Sequence, residues 1–260
     1  MFMSLKGKRA LVCGSTDGIG KSTAILMAKR GAEIILMARN QEKLLNTQNE
    51  LSTDAGQTHS HICANFNEPD SISIKLKSQL DGPIHILVNN SGGPKGGELI
   101  QADLNEFRIG FERLLVANQV ITQAAVSYMR ELNYGRVINI ISMSVNQVIP
   151  GLGVSNTIRG AVANWSKTMA NELGEFGITV NNILPGATAT GRLSDIIKNK
   201  AHKTGKTEEE VTQAMQNAIP AKRFGQPEEL ANAVTFLASE AASYINGINV
   251  PVDGGRTKSL

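Results

Sequence analysis

Two cysteines, three tyrosines and one tryptophan are all that the 260 residues hold of those types. Cys13 and Cys63 stand far apart in no metal-ligand or redox spacing, so neither a metal site nor a disulfide framework is expected. Each ends an apolar run, where a small buried thiol is the ordinary reading. No run of about 18 apolar residues occurs, which gives no membrane span. Lys6, Lys8 and Arg9 interrupt the first residues, leaving no apolar signal core and a cytoplasmic setting as the expectation. Charge of one sign is also scarce: a net +3, dispersed along the chain, does not argue for nucleic acid. Internal repeats, low-complexity tracts and linkers are missing too, and one domain over residues 1–260 is expected.

What is present is alternation. Strand-like apolar runs at Arg9–Cys13, Glu33–Met37, Thr58–Cys63, Ile84–Asn89, Arg136–Ser142, Ile178–Leu184 and Ile248–Val252 are separated by helix-length segments. Helices are expected at Ile19–Arg30, Gln41–Thr53, Ser71–Leu80, Asp103–Leu132, Gly153–Leu173 and Pro227–Ala238. That rhythm predicts an α/β fold, a doubly wound parallel sheet of the Rossmann type with about seven strands. The polar stretch 187–220 breaks the rhythm after a strand end, where a lid over a ligand crevice is often inserted; a solvated surface excursion would carry the same charges.

The first strand runs into Gly14-Ser15-Thr16-Asp17-Gly18-Ile19-Gly20 and then into a helix. Glycines let the backbone approach a ligand closely, and a helix N-terminus offers free N–H groups to a phosphate. By itself such a loop is also an ordinary strand-to-helix turn. The second strand ends Ala38-Arg39-Asn40 with no carboxylate for a ribose hydroxyl, and the fork of Arg39 suits a 2′-phosphate, which favours NADP(H) over NAD(H). Asp17 pulls the other way, because an acid near that phosphate would repel it.

Gly14-x-x-x-Gly18-Ile19-Gly20, Asn89-Asn90-Ser91-Gly92, Ser142, Pro185-Gly186 with Thr190, and Val252-Asp253-Gly254-Gly255 stand in one order along the chain. In that order the sequence resembles the short-chain dehydrogenases/reductases, most of all the ketoacyl-carrier-protein reductase branch. The resemblance implies a cofactor cradle at Gly14–Gly20, with Asn65-Phe66 at the adenine and Asn90, Ser91 and Gly92 along the adenosine ribose. It also implies Pro185, Gly186, Thr188 and Thr190 at the nicotinamide.

The family's catalytic groups are a Ser, a Tyr-x-x-x-Lys pair and an Asn. Aligned through Gly135-Arg136-Val137 and Gly177–Asn181, Ser142 keeps its place, whereas Ser155 stands for the Tyr, Arg159 for the Lys and Leu114 for the Asn. Ser155 and Arg159, at i and i+4, share a helix face, and Arg159 can stabilise an alkoxide but gives up a proton poorly. Ser142 has a second reading, a strand-end hydroxyl that satisfies backbone, and Ser144 is close enough to share its part. Tyr128, Tyr134 and Tyr244 map away from the crevice; of the histidines, only His202 in the expected lid could reach it. The expectation is an NADP(H)-dependent oxidoreductase for an unidentified small carbonyl or alcohol, with Ser142, Ser155 and Arg159 as its catalytic groups. The alternative is an NADP-binding sensor, scaffold or partner subunit without dehydrogenase activity. Leu152, Val154, Leu193 and Ile196 are expected to line the substrate crevice. The resemblance further implies a homo-oligomer, a tetramer or a dimer.

Overall fold

Strand β1 (Arg9–Cys13) sends Ala10 and Val12 to one face of a sheet and Leu11 and Cys13 to the other, and all four are buried. Burial on both faces explains why the central strands read as continuous apolar runs. The computed structural model describes residues 3–259; Met1, Phe2 and Leu260, which fall within the expected domain, lie outside the described residues. Strands β2 (Glu33–Ala38), β3 (Ser60–Cys63), β4 (Ile86–Asn89), β5 (Gly135–Ile140), β6 (Ile178–Pro185) and β7 (Asn249–Val252) complete a seven-stranded sheet. Its order is β3-β2-β1-β4-β5-β6-β7 and every pairing is parallel. The chain crosses over between β1 and β4, so a crevice opens at the carboxyl ends of those strands.

Helices α1 (Gly18–Lys29) and α9 (Pro227–Ala238) pack together on one face. On the other lie α3 (Pro69–Gln79), α5 (Ala117–Leu132) and α6 (Gly153–Leu173), while α2 (Gln41–Asn49) covers the β2–β3 edge. Each fully buried aliphatic side chain in these layers contributes roughly 1.5–3 kcal/mol. Among the described residues no helix is long and apolar enough to cross a membrane.

Three stretches differ in form from expectation. The helix anticipated over Asp103–Leu132 is α4 (Leu104–Phe111) joined to α5 through a π-helical turn at Glu112–Val116. The fifth strand stops at Ile140, so Ser142 lies beyond it as the cap of a short 3-10 turn, Met143–Val145. The stretch 187–220, for which no element was expected, contains two helices, α7 (Gly191–Thr204) and α8 (Glu208–Asn217). Leu193, Ile197, Ala201 and Val211 bury a small core of their own there, and Thr207 and Glu210 cap α8 reciprocally.

A polar ladder crosses the apolar sheet. Asn89, Asn139, Asn182 and Asn249 are in register on β4 to β7. Asn89 Nδ2 donates to Asn139 Oδ1 at 2.9 Å, Asn139 Nδ2 to Asn182 Oδ1 at 3.0 Å and Asn182 Nδ2 to Asn249 Oδ1 at 2.7 Å. Asn139 Nδ2 also donates to Ser166 Oγ on α6 at 3.1 Å. The ladder ties α6, and hence its functional face, to the middle of the sheet.

Candidate functional site

The turn after β1 is built from glycines that have no room for a side chain. Gly14 has φ +58°, and a Cβ on Gly20 would lie 2.1 Å from the Gly14 carbonyl oxygen and 2.7 Å from Asn90 Nδ2. Asn90 Nδ2 donates to the carbonyls of Cys13 and Gly14, both at 3.3 Å, and so fixes the loop. Two loop side chains make contacts within the protein. Ser15 is fully buried and its hydroxyl donates to the Met37 carbonyl at 3.4 Å, so its side chain joins β1 to β2 instead of facing a ligand. Asp17 caps α1, accepting from the Gly18 N–H at 2.8 Å, and its other oxygen faces Gly191 at the start of α7 rather than the end of β2. One oxygen of the acid is thereby engaged at the start of α1.

A cavity of about 400 Å³ opens above the strand ends. Gly14, Asp17, Gly18 and Ile19 line it from the first loop, and Asn90, Ser91 and Gly92 from the loop after β4. Pro185, Gly186, Thr188 and Thr190 line it from the β6 end. Arg39, Asn65 and Phe66 do not line it; they follow β2 and β3 at the same end of the sheet, farther out. Arg39 is exposed, while Asn65 donates to Glu68 Oε1 at 2.6 Å and Phe66 packs against the core.

Ser142, Ser155 and Arg159 meet on the opposite wall. Ser142 Oγ accepts from the Ser144 N–H at 3.1 Å, so the backbone-satisfying reading describes its lone pair while its own proton remains free. Arg159 Nε donates to Ser155 Oγ at 3.2 Å, and its Nη1 donates to the Ile140 carbonyl at 3.4 Å and to that of Ile141. Burial first, and the Arg192 charge second, push the Arg159 guanidinium down to about 10. Ser144 is buried with an unpartnered hydroxyl and does not reach this cavity.

Leu114 sits in the π-helical turn, packed with Ile141, Val154, Ile158 and Val162. Val154, expected in the crevice, belongs to this apolar cluster, whereas Leu152, Leu193 and Ile196 do line the cavity. None of the three tyrosines lines it: Tyr134 lies half-buried under Lys8 and Arg136, and Tyr244 is fully exposed. His202 is exposed on the last turn of α7 and does not line it either.

The sequence reading missed Gly93, Arg192, Met215 and Arg256, all of which line the cavity. Arg192 directly follows Thr190-Gly191 and Arg256 follows Gly254-Gly255, so adjacency to expected site residues was the available signal. Asn118, one turn beyond Leu114, is buried and shares a small cavity with Arg159.

Residues 14–257 match the family described as enoyl-(acyl carrier protein) reductase. Among curated relatives, gluconate 5-dehydrogenase of Gluconobacter oxydans is 34% identical over 266 residues, covering 100% of this chain and 98% of the relative. The 3-oxoacyl-[acyl-carrier-protein] reductase FabG of Vibrio cholerae is 32% identical, covering 97% and 98% of the two chains. Among solved structures, L-sorbose reductase from Gluconobacter frateurii, complexed with NADPH and L-sorbose, superposes with a TM-score of 0.93 at 31% identity over 100% of both chains.

Proposed function

Because the chain belongs to the short-chain dehydrogenase/reductase family, we propose that it is an NADP(H)-dependent oxidoreductase acting on a carbonyl or alcohol carbon. The observation that carries this reading is the hydrogen-bonded Ser155–Arg159 pair facing the same cavity as Ser142. The residues present fit a dinucleotide. The glycine loop leaves no space for a Cβ at Gly14 or Gly20, α1 begins at that loop, and Arg39 is exposed just beyond the end of β2, free to meet a 2′-phosphate. Similar solved structures hold NADPH or NADP, the L-sorbose reductase among them, which supports the same preference. Bound there, NADP(H) would supply or accept the hydride.

The chain's own residues handle the substrate oxygen. Ser142 accepts from backbone and Ser155 accepts from Arg159, so each hydroxyl keeps a proton to donate. Two such donors, with the Arg159 charge behind one of them, stabilise negative charge as it develops on that oxygen. Ser155 lacks the acidity of a phenol, so the proton comes from water through the open cavity.

NADPH oxidation against ketones, aldehydes and ketoacyl thioesters tests the reading. Ser142→Ala is expected to lower kcat/KM about 100-fold. Tight NADPH binding without turnover of any of these would instead favour the binding-only alternative, for which the replaced Tyr, Lys and Asn positions speak. Arg39→Ala is expected to weaken NADPH binding about 10- to 100-fold, the worth of charge-assisted hydrogen bonds, and to leave NADH binding unchanged. Equal losses for both nucleotides in a fluorescence titration would take the 2′-phosphate away from Arg39.

The reading extends to one dinucleotide-binding domain that assembles with copies of itself. Support comes from Leu104 and Phe111, seven residues apart on one side of α4 and both exposed, and from the almost fully exposed Ile100 shortly before that helix. Two free thiols agree with a reducing, cytoplasmic setting.

A further inference from the structure

Arg113 carries a charge for which the described residues supply no counter-ion. It stands in the π-helical turn between α4 and α5, next to the buried Leu114, and is itself half-buried outside the cavity above the strand ends. Its Nε donates to Asn67 Oδ1 at 2.6 Å in the turn after β3. Its Nη1 donates to the Gly92 carbonyl at 3.4 Å in the loop after β4. Strands β2 and β1 separate β3 from β4 in the sheet, so Arg113 joins loops that the strands hold apart. The turn it reaches is knitted by side chains: the Asn67 N–H donates to Asn65 Oδ1 at 3.2 Å, and Asn65 Nδ2 to Glu68 Oε1. Asn65 and Gly92 are the residues that the family resemblance sets at the adenine and the adenosine ribose.

Neither of these bonds needs a cation, because a neutral side-chain amide donates to the same kinds of oxygen. The charge has a cost instead. Burial first, then the Arg39 charge and then that of Arg192, push the Arg113 guanidinium down. Glu68, next to Asn67, is engaged with Asn65. Arg39 follows β2, the strand paired with β3, so the two cations share one corner of the sheet. Among the described residues Arg39 has no ion pair either. Two neighbouring cations without a counter-ion make a place where an anion relieves their repulsion.

We propose that Arg113 is a second cation for the adenosine 2′-phosphate, acting with Arg39 to select NADP(H) over NAD(H). This rests on the cofactor reading and adds to it a determinant that comes from the helical layer, where Arg39 comes from a strand end. The pyrophosphate of the same molecule is the competing anion. Its cradle is the start of α1, after β1, whereas Arg113 is tied to the turn after β3.

Fluorescence titration of the parent, Arg113→Gln and Arg113→Lys with NADPH and with NADH tests the assignment. Glutamine can still donate to Asn67 but has no charge. Arg113→Gln is expected to weaken NADPH about tenfold and NADH by less than about twofold, so retained NADH binding also reports a folded variant. Arg113→Lys keeps the charge and is expected to hold the NADPH preference within about threefold of the parent. Equal losses of both nucleotides in Arg113→Gln would make Arg113 a tie between two loops and overturn the assignment. So would an unchanged preference, or a loss in Arg113→Lys as large as that in Arg113→Gln. The parent titration judges the cofactor reading separately. A parent that binds neither nucleotide overturns both, whereas NADPH preference in the parent that Arg113→Gln leaves unmoved overturns only the part given to Arg113.

Discussion

Gly20→Ala is expected to weaken NADPH binding by at least about 100-fold, a loss of roughly 3 kcal/mol read by fluorescence titration. The added methyl would stand 2.1 Å from the Gly14 carbonyl oxygen and 2.7 Å from Asn90 Nδ2. Neither neighbour can retreat cheaply. Gly14 is held at a positive φ, and the same Asn90 amide bonds the Cys13 and Gly14 carbonyls. The loop must therefore open away from the first turn of α1, which takes the helix N–H groups out of reach of a phosphate. Gly160→Ala is the matched control. A Cβ there meets nothing within 4 Å on an exposed face of α6, so that change should leave binding intact and stabilise the helix by up to about 1 kcal/mol. NADPH binding by Gly20→Ala within about threefold of the parent would remove the loop as the phosphate cradle.

Asn139→Leu is expected to cost roughly 3 kcal/mol of folding stability, measured by urea unfolding. The substitution nearly conserves volume, so a cavity contributes little. The loss comes from groups left behind. Asn89 Nδ2 keeps only Thr122 Oγ1 at 3.2 Å, while Asn182 Oδ1 and Ser166 Oγ each lose the bond that Asn139 made. Buried polar atoms without partners cost more than a net hydrogen bond returns. A loss below about 1 kcal/mol would mean that water or rearranged amides satisfy the ladder without Asn139. Because Ser166 ties α6 to this ladder, activity should fall together with stability.

Much of this architecture was legible from local pattern. The first strand, the helix at Gly153–Leu173 and the helix at Pro227–Ala238 have the expected bounds, because apolar period, glycine and proline act on nearest neighbours along the chain. The π-helical turn at Glu112–Val116 was not legible. A one-residue shift of the hydrogen-bond ladder leaves no mark on apolar spacing when both flanking segments are helical. The asparagines at 89, 139, 182 and 249 read as polar residues within or beside apolar runs, since only strand register makes them neighbours.

At the functional site the division follows the same physics. By itself the sequence determined the glycine loop, the missing carboxylate beside Arg39, and the presence of Leu114, Ser155 and Arg159 at their positions. Those are identities, and identity is independent of folding. Only the tertiary structure decided that Ser15 turns into the core, that Asp17 faces α7, and that Arg192 and Arg159 close on Gly93. These residues come from separate strand ends and the inserted helices, and their charges act through space. Coulomb energy depends on the distance between groups, and chain separation does not fix that distance.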